Sequence, residues 1–330
     1  MHKKINVLKS GKSYNCYSGC ICYILENFGT IFSEAVSFGL SGGLGFIFSM
    51  DEKMGFSCVR EKHCLTEYLL GLGIRVAELP ITDYVWLQNH IQKSVSCEEP
   101  VMLRYDGFYL PYTPIYQKRH DVRIGLVTGY EDGFFYMTDF VYEVINYRVS
   151  ETNFLNAVFS KECDRKTFET FFVTVPMDID ERVTKEDIKG SIIECTNFFL
   201  NSVSTNEKLL GLDGMEKFIR NIKEYLENMY IQDNWDELLI DLKQATVAIN
   251  NYSKFFLEIK SAGLLDMSKD IVEDISLAFK SASERWNLFC NGAVLYKLTK
   301  RNNSLEMIKR TLLEFYSQMN KAFSVLRVNI

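Results

Sequence analysis

The chain has 330 residues, 47% hydrophobic and 24% charged, enough for two globular domains with their own cores. Its net charge of −6, with no basic run or stripe, argues against nucleic-acid or anionic-membrane binding. Met1–Ile5 is basic but lacks the apolar stretch of a secretory signal, no apolar run reaches transmembrane length, and nine cysteines lack paired spacing. A reducing, cytoplasmic setting is expected, with free thiols. Cys58, His63 and Cys64 match no zinc spacing, so no metal site is expected.

The first predicted element is a helix opening at Cys16. Asn15-Cys16-Tyr17-Ser18-Gly19-Cys20 precedes Ile21, Ile24, Leu25 and Phe28 at helical spacing, and Gly29 is a natural stop. A cysteine at a helix N-terminus meets the positive end of the dipole, which favours the nucleophilic thiolate. Cys20 follows one turn later, as packing. Ser33-Glu34 reads as a second helix start. The glycine-rich segment Gly39–Phe46 lacks both the Lys-Ser/Thr of a phosphate loop and the GxGxxG spacing, and is expected to be a tight loop beside an active site. No cofactor is implied.

Helices are predicted over Cys64–Leu72 and Asp83–Val95, and a strand over Pro100–Tyr105. Arg123–Thr128 and Phe134–Asp139 read as arms of a β-hairpin turning at Glu131-Asp132-Gly133. Beyond Val183 there is no proline and the pattern is helical. Ile188, Ile192, Cys195 and Phe199 form one apolar stripe, Trp235, Leu238, Leu239 and Leu242 another, and Leu305, Ile308, Leu312, Phe315, Met319 and Leu326 a third. The expected class is therefore α+β, an N-terminal domain over 1–180 and an all-α bundle over 181–330.

A nucleophilic cysteine needs a base, and the base an orienting group. In papain-like folds the cysteine opens a helix, and histidine and its partner follow on adjacent strands. Cys16, His120 and Asp139 occur in that order, in the roles of nucleophile, general base then acid, and imidazole orienter. Asn15 is a candidate oxyanion donor beside the Cys16 backbone N–H, and Tyr109, Tyr112 and Tyr116 are candidates to line an acyl tunnel.

Asn15-Cys16-Tyr17-Ser18, Phe32-Ser33-Glu34 with Phe38-Gly39-Leu40, Asp106-Gly107-Phe108-Tyr109-Leu110-Pro111-Tyr112, and Gly129-Tyr130 followed by Thr138-Asp139 together resemble the N-terminal domain of the butirosin-biosynthesis acyltransferases, a papain-like cysteine group. The resemblance covers residues from about 10 to 145. It implies acyl transfer from a carrier-protein thioester to a small-molecule amine, with amide formation, in antibiotic assembly; polythioamide biosynthesis follows the same logic. In such hairpins the histidine precedes Gly-Tyr by six residues, and six before Gly129 stands Arg123. His120 lies three further out, on the opposite face of a regular strand. Either a bulge re-aims His120, or Arg123 pairs with Asp139. A cysteine peptidase or amidase needs the same residues; an inactive module that binds an acyl chain or carrier protein is the other alternative, favoured by Arg123.

Overall fold

The computed structural model describes residues 3–5, 13, 15–27, 33–49, 55–59, 75–81, 83–161, 169–174, 183–202, 204–205, 208–231 and 235–330. In chain order the early elements are β1 (Lys3–Lys4), α1 (Cys16–Asn27), α2 (Glu34–Leu40), β2 (Leu44–Ser49), β3 (Gly55–Val59), β4 (Arg75–Pro80) and α3 (Tyr84–Ser96). Then come β5 (Val101–Asp106), a 3₁₀ turn (Gly107–Tyr109), β6 (Val122–Glu131), β7 (Phe134–Asp139), β8 (Val144–Ser150), α4 (Glu151–Val158) and β9 (Glu169–Thr174). The remainder is α5 (Lys185–Asn201), β10 (Lys208–Leu210), α6 (Gly211–Arg220), α7 (Ile222–Ile231), α8 (Trp235–Ser261), α9 (Lys269–Thr299) and α10 (Asn302–Asn329). The predicted helix over Cys64–Leu72 lies outside the described residues.

The chain divides into two compact units, one of residues 1–34 and 69–180, the other of residues 35–68 and 181–330. The division is not a single cut near residue 180, because the segment 35–68 belongs with the helical half.

The first unit is built on an antiparallel sheet in the order β4-β9-β5-β6-β7-β8, with β1 also pairing to β6. The hairpin β6–β7 turns through Asp132 and Gly133 at φ 49° and 78°. Both lie in the left-handed region, as a two-residue turn matched to strand twist requires. The Asp83 side chain accepts the Trp86 N–H at 2.8 Å and so starts α3. Leu87, Ile91 and Val95 of α3 share a core with Val101, Leu103 and Tyr105 of β5 and Val127, Phe135 and Met137 of the hairpin. Phe135 stacks on Phe154 of α4 with centroids 3.8 Å apart. Alternate sheet residues thus bury one face against α3 and α4.

The second unit joins a small sheet, β10-β2-β3, to α2 and α5–α10. The predicted stripes of α5 and α10 are buried, Ile188, Ile192 and Cys195 at 0% exposure and Ile308, Leu312 and Leu326 at 0%. Trp286 of α9 packs against Phe218, Phe289 and Phe315, and its indole N–H donates to the Leu242 carbonyl at 2.8 Å. The glycine-rich segment is not the expected loop throughout. Gly39 and Leu40 end α2, Gly42 turns at φ 59°, and Leu44–Ser49 is the strand β2. Gly39 lies against the Phe255 ring, where a Cβ would collide.

Candidate active site

Cys16 is the first residue of α1 and is half-buried. Asn15 caps the helix: its Oδ1 accepts the N–H of Tyr17 at 2.8 Å and of Ser18 at 3.2 Å. Its own N–H donates to Glu34 Oε1 at 3.0 Å, and the Ser18 hydroxyl donates to the same oxygen. The Asn15 side-chain oxygen is therefore committed to holding the helix start. Ser13 donates its N–H to the Phe140 carbonyl at 3.2 Å, and Gly19 packs so tightly on Ser13 that a Cβ there would collide with its side chain. These contacts draw the start of α1 to the end of β7, next to Asp139.

The sulfur feels opposing influences. Burial pushes the Cys16 thiol above its ordinary range; Arg123, foremost among the opposing groups, and backbone N–H groups of Ile124 and Tyr17 pull it down, while Asp139 adds to the rise. The net direction is upward. Cys20, fully buried one turn on, is pushed up well beyond the ordinary range, first by burial and then by Cys16.

Arg123 occupies the position six residues before Gly129, and its Nε faces Asp139 Oδ2 at 3.5 Å, an ion pair without hydrogen-bond alignment. Its Nη1 lies 3.7 Å from Asp121 Oδ2, and its guanidinium sits 4.3 Å from the centre of the Tyr142 ring. The charges of Cys16, Asp139 and Tyr105 hold the guanidinium protonated despite burial, which acts the other way.

Asp139 is fully buried. Its Oδ2 accepts the Tyr105 hydroxyl at 2.7 Å, and Tyr112 in turn donates to the Tyr105 oxygen at 3.1 Å. Its Oδ1 accepts the N–H groups of Val141 and Tyr142 at 3.0 and 3.3 Å. Gly125 makes room for this bridge, since a Cβ there would come within 2.8 Å of the Tyr105 ring and 2.9 Å of the Thr138 carbonyl oxygen. Burial pushes both tyrosines well above the ordinary phenol range, so they act as neutral donors.

His120 is placed differently from the expected pairing with Asp139. It precedes β6, and its Nδ1 is 2.6 Å from Asp106 Oδ2. Asp106 is fully buried and also accepts the Ser160 hydroxyl at 2.7 Å and the N–H groups of Phe108 at 3.0 Å and Asp121 at 3.3 Å. Burial alone would raise this carboxyl; the bonds from His120, Ser160 and the two amides outweigh it and hold it low. The His120 ring stacks on Phe108 at 4.2 Å and lies 6.0 Å from Tyr109. The physical reason is local: the backbone folds back at Gly107, whose N–H bonds the Asp121 carbonyl at 3.0 Å, bringing His120 onto Asp106 before the strand begins.

Of the three tyrosines expected to line a tunnel, Tyr112 joins the Asp139 network and Tyr109 lies by His120. The Tyr116 hydroxyl instead accepts from Gln117 Nε2 at 3.1 Å. Tyr105, Asp121, Tyr142 and Ser160 were not singled out by the sequence, and Asp106 entered only as the first residue of the family-like stretch Asp106–Tyr112. Among the described residues no group of three or more His, Cys, Asp or Glu is placed to hold a metal ion, and no helix is long and apolar enough to cross a membrane.

A thiol at the head of a helix, set against an antiparallel hairpin that presents a cation and a carboxylate, defines a papain-like cysteine domain. Residues 15–140 match the family described as Butirosin biosynthesis protein H, N-terminal. No curated protein matches the sequence. Among solved structures, a Bacillus anthracis protein described as a C39-like peptidase aligns over 54% of this chain and 100% of its own, at 12% identity and a TM-score of 0.38.

Proposed function

We propose that the chain is a cysteine-dependent acyltransferase. Cys16 takes an acyl group from a carrier-protein thioester and passes it to a small-molecule amine, forming an amide in natural-product assembly. Support comes from the family of residues 15–140 and from the half-buried thiol at a helix start.

The observation that carries this reading over hydrolysis is the Arg123–Asp139 pair beside Cys16. A guanidinium has five donors, no acceptor and a permanent charge, so it cannot take a proton. It can stabilise the Cys16 thiolate and the anion that develops when a thioester is attacked. Exchange of one thioester for another is nearly isoenergetic, and the departing carrier thiolate takes a proton from solvent. Water needs a base in contact with it to attack the acyl-enzyme, whereas a neutral amine does not. A fixed cation at the sulfur therefore favours aminolysis over the peptidase or amidase alternative.

A second reading, an inactive module that binds an acyl chain or carrier protein, is favoured by the upward shift of the Cys16 thiol. One experiment separates them. The protein and its Cys16→Ala variant are incubated with a panel of acyl thioesters, and adducts are located by intact and peptide mass spectrometry. An acyl group on Cys16 that added amines release as amides supports the transferase. A folded protein that acquires no adduct from any donor supports the binding module; release chiefly as free acid supports hydrolysis.

A further inference from the structure

Amide formation leaves one proton unaccounted for. An alkylamine meets the enzyme as an ammonium, which has no lone pair to attack with, and Arg123 cannot accept its proton. His120 and Asp106 form a second, separately built unit. Asp106 is fully buried and receives four hydrogen bonds, one of them joining it to His120 Nδ1 at 2.6 Å. A carboxylate on Nδ1 fixes the imidazole tautomer with its lone pair on Nε2. The ring is braced by Phe108 and is 39% exposed.

This unit adjoins the Cys16 site through the chain itself. Asp106 follows Tyr105, which holds Asp139; Asp121 follows His120, gives its N–H to Asp106, and places its carboxylate 3.7 Å from Arg123. Among the described residues, the charged and titratable groups around the imidazole are Asp106 on β5, Tyr109 on the 3₁₀ turn, and Arg119 and Asp121 beside it in the chain.

We infer that His120, oriented by buried Asp106, is the base that deprotonates the incoming ammonium on the acceptor side of the reaction. The inference rests on the acyl-Cys16 reading. The ammonium N–H proton passes to His120 Nε2 and from there to solvent. The freed lone pair forms the C–N bond to the acyl carbon, the C–S bond breaks with its electron pair on Cys16, and the second N–H proton restores the thiol. Deprotonation precedes attack, so this base need not touch the carbonyl carbon.

The test uses full-length protein acylated on Cys16, wild type against His120→Gln, with fold checked by circular dichroism. Release is timed with an alkylamine and with hydroxylamine, which is already neutral near neutral pH. The variant is expected to acylate like wild type, to release to the alkylamine roughly 10²-fold more slowly with a flattened pH profile, and to release to hydroxylamine at the wild-type rate. Unchanged release to the alkylamine overturns the inference. So does an equal loss with both nucleophiles, which would make His120 a shaping residue. Absence of any acyl-Cys16 in wild type overturns the transferase reading itself, and the inference with it.

Discussion

Replacing Arg123 with Met keeps an unbranched apolar stem and removes the charge. At 3.5 Å from Asp139 Oδ2, a full ion pair amounts to about 5 kcal/mol at an effective dielectric near 20. Not all of this is forfeited, because Tyr105 and the amides of Val141 and Tyr142 still donate to the carboxylate. A buried charge stripped of its cation costs about 3–5 kcal/mol, and the remaining donors place this variant near 3 kcal/mol. Urea unfolding at pH 7.5 reads the loss. Arg123 is also the leading influence holding the Cys16 thiol down, so its removal pushes that thiol further up. Alkylation of Cys16 by iodoacetamide at pH 8 should slow roughly tenfold. Arg123→Lys retains the charge and should recover most of the thiol reactivity. Wild-type stability in Arg123→Met, or wild-type alkylation, would refute the pairing of Arg123 with both groups.

Two further substitutions probe the supports of the two clusters. Gly125→Ala drives a Cβ to 2.9 Å from a backbone carbonyl that cannot yield and 2.8 Å from the Tyr105 ring, so it should cost about 1–3 kcal/mol in urea unfolding. Ser160→Ala removes a donor from Asp106, whose folded-state carboxyl is held low. A depressed carboxyl contributes stability above its unfolded value of about 3.9, lost as pH falls through the folded value. The variant should thus be less stable by about 1 kcal/mol at pH 7, and begin acid unfolding at higher pH than wild type, followed by fluorescence.

The hairpin was legible because Asp132-Gly133 encodes its turn; α3 was read as the helical run Asp83–Val95, and the structure adds its cap at Asp83. The long helices announced themselves through stripes that burial requires. The pairing of Arg123 with Asp139 was one of two alternatives, reached by counting six residues back from Gly129 as the family resemblance directs. The Asp106–His120–Ser160 cluster was not legible, because its members lie 14 and 54 residues from Asp106 and meet only after the chain reverses at Gly107. A weak signal was present: Asp106-Gly107 after an apolar strand is a turn start, and the aspartate side chain can cap the next backbone N–H groups. The segment Gly39–Phe46 misled because three of its glycines suggest a loop, while the tertiary need at Gly39 is space for the Phe255 ring.

The interleaving of the two units bears on how the chain is made. Residues 35–68 leave the ribosome early but belong with partners that start at residue 181. Phe46 and Phe48 on β2 are fully buried against Phe218 of α6, and β2 pairs with β10, so their apolar faces have no cover until that later half is synthesised. A nascent chain ending near residue 180 would carry an unfinished insertion, greasy and sheet-forming, dangling from an otherwise complete cysteine domain. Expressing residues 1–180 alone should accordingly give aggregates, whereas a nick in a connection that leaves both halves of each unit present should be tolerated.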